Sequence, residues 1–352
     1  MLPARQGDCI WIEYSAGNAT HHLVIDGGPE HAGALTHEVA RRLRASDEGG
    51  LHIDLLVVTH IDNDHIGGVV DLIEGLPAGL SFGDIWFNGF RHLVPTDRLG
   101  TAQADRLSDA LAASGLPWNE AFDHGPVTIP AQGALPRIRR QGVLDLTLLG
   151  PGEDALVRLA REWDEDVRQG RTEPHRATPS DFMGRKDKWP PDVDALLKER
   201  FEADAGAPNG SSIALLLGYC GRQILLSADA PADPLAESIR RLLAQSGGME
   251  RLALDACKVS HHGSKKSTSC DLLGLLRCNH WLISTDGSYF GHPDSAAIAR
   301  LITHGGPKPE LIFNSRKEFS SRWERANPSN RAKFSVRLPT EEGSPVTMNF
   351  PV

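Results

Sequence analysis

Short apolar runs, set apart by polar turns and by stretches with a helical period, organise this chain. Cys9 to Tyr14, Ile53 to Val58, Asp84 to Phe87, Leu144 to Leu149, Ile224 to Ser227, Ala253 to Ser260 and Trp281 to Ser284 have the length and apolar content of strands. Ile53 to Val58 is apolar at nearly every position, as expected of a strand covered on both faces. His37 to Arg44 predicts a basic amphipathic helix, and Val69 to Leu76 a helix that follows the polar loop Thr59 to Gly68. Gly150-Pro151-Gly152 closes one strand. Strands alternating with helices predict a layered α/β domain. Glu153 to Pro208 breaks the pattern, being rich in Arg, Asp, Glu and Pro, with Trp163, Phe182, Trp189 and Phe201 as its main aromatic anchors. It reads as an insertion of helices and loops and a candidate lid, with no repeat or low-complexity tract.

Within this pattern, Thr59-His60-Ile61-Asp62-Asn63-Asp64-His65 concentrates chemistry. Four potential ligands, His60, Asp62, Asp64 and His65, follow the apolar run Leu55 to Val58 directly. Alternate residues of a tight loop at a strand end can turn toward one side, so His60, Asp62 and Asp64 can converge while His65 opens the next element. Two neighbouring cations need such converging donors, with carboxylates to offset their charge. Polar loops also carry His and Asp without any task, but four donors in six residues favour a metal site. His261 and His262 stand at the end of Ala253 to Ser260. Adjacent strand positions diverge, which predicts one metal ligand, taken as His261, and one residue facing substrate, His262. Asp229 falls just past a strand, where a carboxylate can bridge two ions or cap a helix beginning near Pro231. His292 lies in the turn Gly291-His292-Pro293. His21, His22, His124 and His175 carry no motif.

Taken together, these segments resemble the metallo-β-lactamase superfamily, in a His-x-Asp-x-Asp-His variant similar to the hydrolase domain of ComEC/Rec2-type competence proteins. Gln6-Gly7-Asp8, Leu23 to Gly28, Asn209-Gly210-Ser211-Ser212, Ile224 to Asp229, Lys258 to Ser264 and Tyr289 to Pro293 follow the family's order. The resemblance covers about two thirds of the chain and leaves residues 90–205 unmatched. It implies one four-layer αββα domain over residues 1–352, with an insertion at about 90–205 and a basic C-terminal segment at 311–352. It also implies Asp229 as a bridging ligand, and Asp26 behind the ligands, accepting the outer ring N–H of a ligand histidine. His292 is implied at the active-site edge, contacting the scissile group or the second metal, and Asp64, His262 and His292 are the expected catalytic residues. Asp62 stands in place of the commoner histidine, and Asn209, Ser211 and Ser212 stand where many relatives carry a third-motif histidine. Oxygen for nitrogen shifts preference toward Mn²⁺, so two divalent ions, Mn²⁺ or Zn²⁺, are expected.

Composition narrows the setting. Forty per cent hydrophobic residues in 352 suffice for a sizeable core. No apolar run approaches the roughly 18 residues of a membrane span, and the start of the chain lacks a basic segment leading into an apolar core, so no membrane insertion is expected. Five scattered cysteines predict reduced thiols and a cytoplasmic address. A net charge of -9 argues against a globally basic nucleic-acid binder. Residues 311–337 nevertheless hold Arg316, Lys317, Arg322, Arg325, Arg331, Lys333 and Arg337 against only Glu318 and Glu324. That stretch is either an approach for a phosphorylated substrate or a solvated charged face.

The expected function is a phosphodiesterase or nuclease that attacks DNA, RNA or a nucleotide with a metal-bound hydroxide at a binuclear site. Hydrolysis of a carboxylic ester, thioester or lactam is the enzymatic alternative. A regulatory module, binding a protein partner through the insertion, is the non-catalytic one; the intact acidic ligand set stands against it, since crowded carboxylates are costly without a cation.

Overall fold

The computed structural model describes residues 1–46, 49–93, 102–168, 189–325 and 334–351. Phe182, His175, Arg331 and Lys333 lie outside the described residues. The strands are, in chain order, β1 (Ile10–Ala16), β2 (Ala19–Ile25), β3 (Leu51–Ile53), β4 (Leu55–Val57), β5 (Leu80–Phe82), β6 (Ile85–Trp86), β7 (Arg137–Arg140), β8 (Leu144–Gly150), β9 (Ala214–Tyr219), β10 (Arg222–Leu226), β11 (Leu252–Ala253), β12 (Ala256–Lys258), β13 (Leu276–Arg277), β14 (His280–Ile283), β15 (Glu310–Phe313) and β16 (Ser335–Arg337). The helices used below are α1 (Ala34–Ala45), α2 (Asn63–Glu74), α3 (Ala102–Ser114), α4 (Glu153–Arg168), α5 (Val193–Leu196), α6 (Ala207–Gly210) and α7 (Ala232–Gln245).

Two sheets carry the fold. The smaller runs β1-β2-β4-β6, and the larger runs β16-β15-β14-β12-β10-β9-β8-β7. Side-chain alternation explains the layering. Leu23, Ile25, Leu55, Val57 and Trp86 join the large sheet's Leu146, Leu148, Leu215 and Leu217 in one core, which continues around α7. Their neighbours Val24, Leu56 and Ile85 point the opposite way, into a second core with Leu35, Val39, Ile66 and Val70 from α1 and α2. The result is the expected αββα sandwich.

Three boundaries differ from the sequence pattern, each for a local reason. Ile53 to Val58 is two strands in different sheets, because buried Asp54 interrupts it, accepting the His22 backbone N–H at 2.8 Å and meeting His21 Nδ1 at 2.7 Å. Ala253 to Ser260 likewise divides into β11 and β12 around Leu254 and Asp255. Helix α2 starts at Asn63 rather than Val69, so Asp64 and His65 stand in its first turn. Gly68 permits this, since a Cβ there would lie 2.1 Å from the Gly27 carbonyl oxygen. A glycine that reads as a turn signal is a contact surface between helix and loop.

The unmatched segment contributes regular structure. β8 pairs with β9 and β7 forms the edge beyond it, while α3 packs on α2 and α4 on α6. Among the described residues no helix is long and apolar enough to cross a membrane. All five cysteines are free thiols.

Candidate metal centre

Strand direction gathers the site. β2 and β4 run parallel, as do β10, β12 and β14, so their C-terminal ends deliver Asp26, the segment His60 to His65, Asp229, the pair His261-His262 and Ser284. Asp8 precedes β1, which is antiparallel to β2, and arrives at the same end. Gly7 allows that approach: a Cβ on it would sit 1.8 Å from the Asp64 carbonyl oxygen, which accepts the Asp8 backbone N–H at 3.1 Å.

His60, His65, His261 and His262 are each fixed through Nδ1, which leaves Nε2 for the centre. Asp26 Oδ2 lies 2.8 Å from His65 Nδ1, and its carboxylate also takes the Thr59 N–H and hydroxyl. His65 Nε2 then faces Asp229 Oδ2 at 3.3 Å and His262 Nε2 at 3.2 Å. His60 Nδ1 rests on the Thr59 hydroxyl at 3.0 Å, while its buried Nε2 has no hydrogen-bond partner and lies 3.5 Å from Asp62 Oδ2. Asp62 occupies the N-cap position of α2, yet its side chain makes no capping bond. Asp229 is likewise not a cap, for α7 is led by Pro231 without a side-chain hydrogen bond.

The histidine pair departs from strand geometry. His261 and His262 have φ of 48° and 53°, followed by Gly263 at 85°. Left-handed backbone replaces the alternation expected of neighbouring strand residues, and both rings address one carboxylate. His262 Nδ1 donates to the Ser284 carbonyl at 2.7 Å, and Nε2 lies 3.3 Å from Asp229 Oδ2 and 3.2 Å from Asp64 Oδ2. His261 Nδ1 lies 2.9 Å from Asp204 Oδ2, and Nε2 is 3.8 Å from Asp229 Oδ2. The contrast drawn from sequence, one ligand and one substrate-facing residue, thus has no counterpart in ring direction. His292 is buried beside them, its ring 5.3 Å from that of His261, with Nδ1 unpartnered. His21 meets Asp54, His22 accepts from Trp11 Nε1, and His124 reaches the Trp118 carbonyl, all away from this cluster.

Asp8 and Lys258 are part of the centre, although in the sequence both stand only at motif edges. Lys258 is 1% exposed; Nζ lies 2.5 Å from Asp8 Oδ2, 3.4 Å from Asp229 Oδ1 and 3.1 Å from the Ala228 carbonyl. A lysine within the apolar run of a central strand was the available signal, since buried lysine is rare unless paired. Asp204 gave no signal at all.

Burial and charge oppose each other throughout. Burial by itself would raise the carboxyls of Asp8, Asp64 and Asp229, yet all three are held below the usual range, Asp229 well below it, by the surrounding histidines and, for Asp8 and Asp229, by Lys258. Burial would lower His65, His261 and His262, yet nearby carboxylates, Asp229 foremost, raise all three. At His292 burial wins: helped by the neighbouring charges of His261 and His262, and only partly offset by Asp294 and Asp229, it takes the imidazole down to about 4.

A pair of divalent cations suits these residues. Asp8, Asp64 and Asp229 crowd their carboxylates round the Lys258 ammonium and the histidine rings, a buried cluster whose negative charge divalent cations would offset. Asp8, His65, Asp229 and His262 each place a ligand atom within 4.8 Å of the others, and His60 offers a buried nitrogen with nothing to bind. Mixed carboxylate and imidazole donors match Mn²⁺ and Zn²⁺ alike.

Part of the chain matches a known family model. Residues 2–80, from before β1 through α2 to β5, match the family model of the Metallo-beta-lactamase superfamily. The fold is that of the metallo-beta-lactamases. That matched span carries Asp8, Asp26 and the whole run His60 to His65. A hydroxyacylglutathione hydrolase from Aliivibrio salmonicida is 34% identical over 76 residues, 22% of this chain and 26% of that protein, so the chain spans about a quarter of its length. Among solved structures, Zn(2+)-bound PqqB from Methylobacterium extorquens is 14% identical, covering 97% of this chain and 87% of that one with a TM-score of 0.38. A diphosphatase of the PhnP family is 10% identical, covering 99% and 87%, with a TM-score of 0.39.

Proposed function

We propose that this metallo-beta-lactamase-fold protein is a metal-dependent hydrolase that cleaves a phosphodiester, in DNA, RNA or a nucleotide, as its likeness to the ComEC/Rec2-type domains suggests. The observation that carries the reading is the buried convergence of Asp8, Asp64, Asp229, His65 and His262 on one point, with His60 and Asp62 beside it. Two bound cations, Mn²⁺ or Zn²⁺, would supply Lewis acidity, water activated near neutral pH and a clamp for a phosphoryl oxygen.

The chain's own groups arrange the rest. Asp229 is oriented by Lys258 at Oδ1, which leaves Oδ2 to the site. Asp26 and the Ser284 carbonyl fix the ring orientations of His65 and His262, so these nitrogens need no reorganisation when the substrate arrives. His292, taken down to about 4, is a neutral imidazole at pH 7, whose ring N–H can donate a hydrogen bond to a phosphoryl or leaving oxygen. The described basic residues of the C-terminal segment are largely engaged: Lys317 with Asp286, Arg325 with Glu318, Arg337 with Glu310, and Arg316 with the Pro339 carbonyl.

Incubation with single-stranded, duplex and cyclic-nucleotide substrates in Mn²⁺ or Zn²⁺ tests this, with Asp64→Ala as the inactive control. Turnover of a phosphodiester that disappears in the control supports the proposal. A second reading, hydrolysis of a carboxylic ester, thioester or lactam, draws on the local identity to hydroxyacylglutathione hydrolase. Turnover of thioester or chromogenic lactam, with phosphodiesters left intact, would replace the first reading with the second.

A further inference from the structure

Asn209, Gly210, Ser211 and Ser212 bring no imidazole to the centre, although the Asn209 Oδ1 and Ser212 Oγ atoms are buried without hydrogen-bond partners. The His261 ring lies beside this segment, its Nδ1 3.3 Å from Asn209 Nδ2. Asp204, on the segment leading into α6, holds that ring. Its Oδ2 meets His261 Nδ1 at 2.9 Å and accepts from Asn209 Nδ2 at 2.8 Å, while Oδ1 accepts the Gly206 backbone N–H at 2.9 Å. The Asp204 backbone N–H donates to the Lys266 carbonyl, a second tie to the same loop that carries His261. Upstream, the segment is anchored by buried Val193 and by Phe201, whose ring lies under the Arg300 guanidinium.

The geometry points to Asp204 as a positioning residue that makes His261 a nitrogen ligand of one of the two ions, so that the family-unmatched insertion completes the metal centre. A carboxylate behind a ligand imidazole fixes its tautomer and raises its basicity. With Nδ1–H committed to Asp204, the His261 Nε2 lone pair is left toward Asp229 Oδ2, while Lys258 meets the other oxygen, Oδ1. His262, held by the Ser284 carbonyl, faces the same oxygen together with His65 and Asp64. His261 and His262 thus approach the same Asp229 oxygen, each ring with its own support, an arrangement in which the two imidazoles and the carboxylate would hold cations together. This inference rests on the metal reading of the site.

The experiment is calorimetric titration of the full, chelator-stripped chain with Mn²⁺ and separately Zn²⁺, with metal content checked by mass spectrometry. Wild type should take up two ions. Asp204→Asn, which keeps the side-chain shape, should weaken one of them about 10–100-fold and leave the other unchanged, and His261→Ala should abolish that same ion. Two ions bound by Asp204→Asn at wild-type affinity would overturn the inference. So would equal weakening of both ions together with a lower Tm of the metal-free variant, which marks damage to the fold. A wild-type chain that takes up no Mn²⁺ or Zn²⁺ would overturn the metal reading itself, a result distinct from a wild type that binds two ions beside a variant that does the same.

Discussion

Replacing Lys258 by Met removes the one buried ammonium of the centre while keeping most of its stem. At 2.5 Å from Asp8 Oδ2, the pair's attraction is about 6–7 kcal/mol at an effective dielectric of about 20. Desolvation of both ions offsets much of this, and deleting one member of a buried pair costs about 3–5 kcal/mol because the survivor stays uncompensated. Urea unfolding of metal-free Lys258→Met should therefore show a loss of that size. Adding Asp8→Asn should recover part of it, since the nearer of the two stranded carboxylates, Asp8 and Asp229, is then gone. Lys258 is raised and Asp8 lowered in the folded chain, so their stabilisation is present above the unfolded Asp value of 3.8 and below the unfolded Lys value of 10.5. The deficit should stay flat from about pH 5 to 9 and shrink in stronger acid as Asp8 protonates. A variant within about 1 kcal/mol of wild type, or a double variant no better than the single, would refute the assigned role.

Other expectations are open to direct measurement. Asp26→Ala should lower metal affinity about 10–100-fold by freeing the His65 ring, read by competition with a chromogenic chelator. Gly68→Ala should destabilise by about 1–3 kcal/mol, since its methyl group meets the Gly27 carbonyl at 2.1 Å; a Tm equal to wild type would show that α2 shifts freely. His92, held at about 4 by burial, takes up a proton in the unfolded chain near 6.5 but not in the folded one, so it withdraws stability as pH falls from about 6.5 toward 4. Its ring resonances in an NMR titration should move near pH 4, and a midpoint above 6 would remove the effect.

Much of the fold was legible because apolar runs and their two-residue alternation specify which face each strand buries. Leu55, Leu56 and Val57 divide between two cores in strict alternation. Single polar residues set the breaks that this pattern hides: Asp54 separates two strands by capturing the His22 backbone and the His21 ring, neither adjacent to it in sequence. At the site, the run His60 to His65 announced itself by density of donors. Asp8 and Lys258 lay in view without a role, because their partnership joins residues 250 positions apart. Asp204 was invisible: a lone aspartate in a polar segment has no pattern, and only tertiary contact brings it to His261.

Two adjacent histidines at positive φ are held where L-residues lose about 1–2 kcal/mol each. Glycine at either position would relieve the backbone and delete a ring, so thermal robustness and cation capture pull on this turn in opposite directions. Ions that bind only the native chain return the deficit through mass action. Scarcity of divalent cations should accordingly reveal itself first as local opening between Ser260 and Gly263, well before the sandwich as a whole gives way.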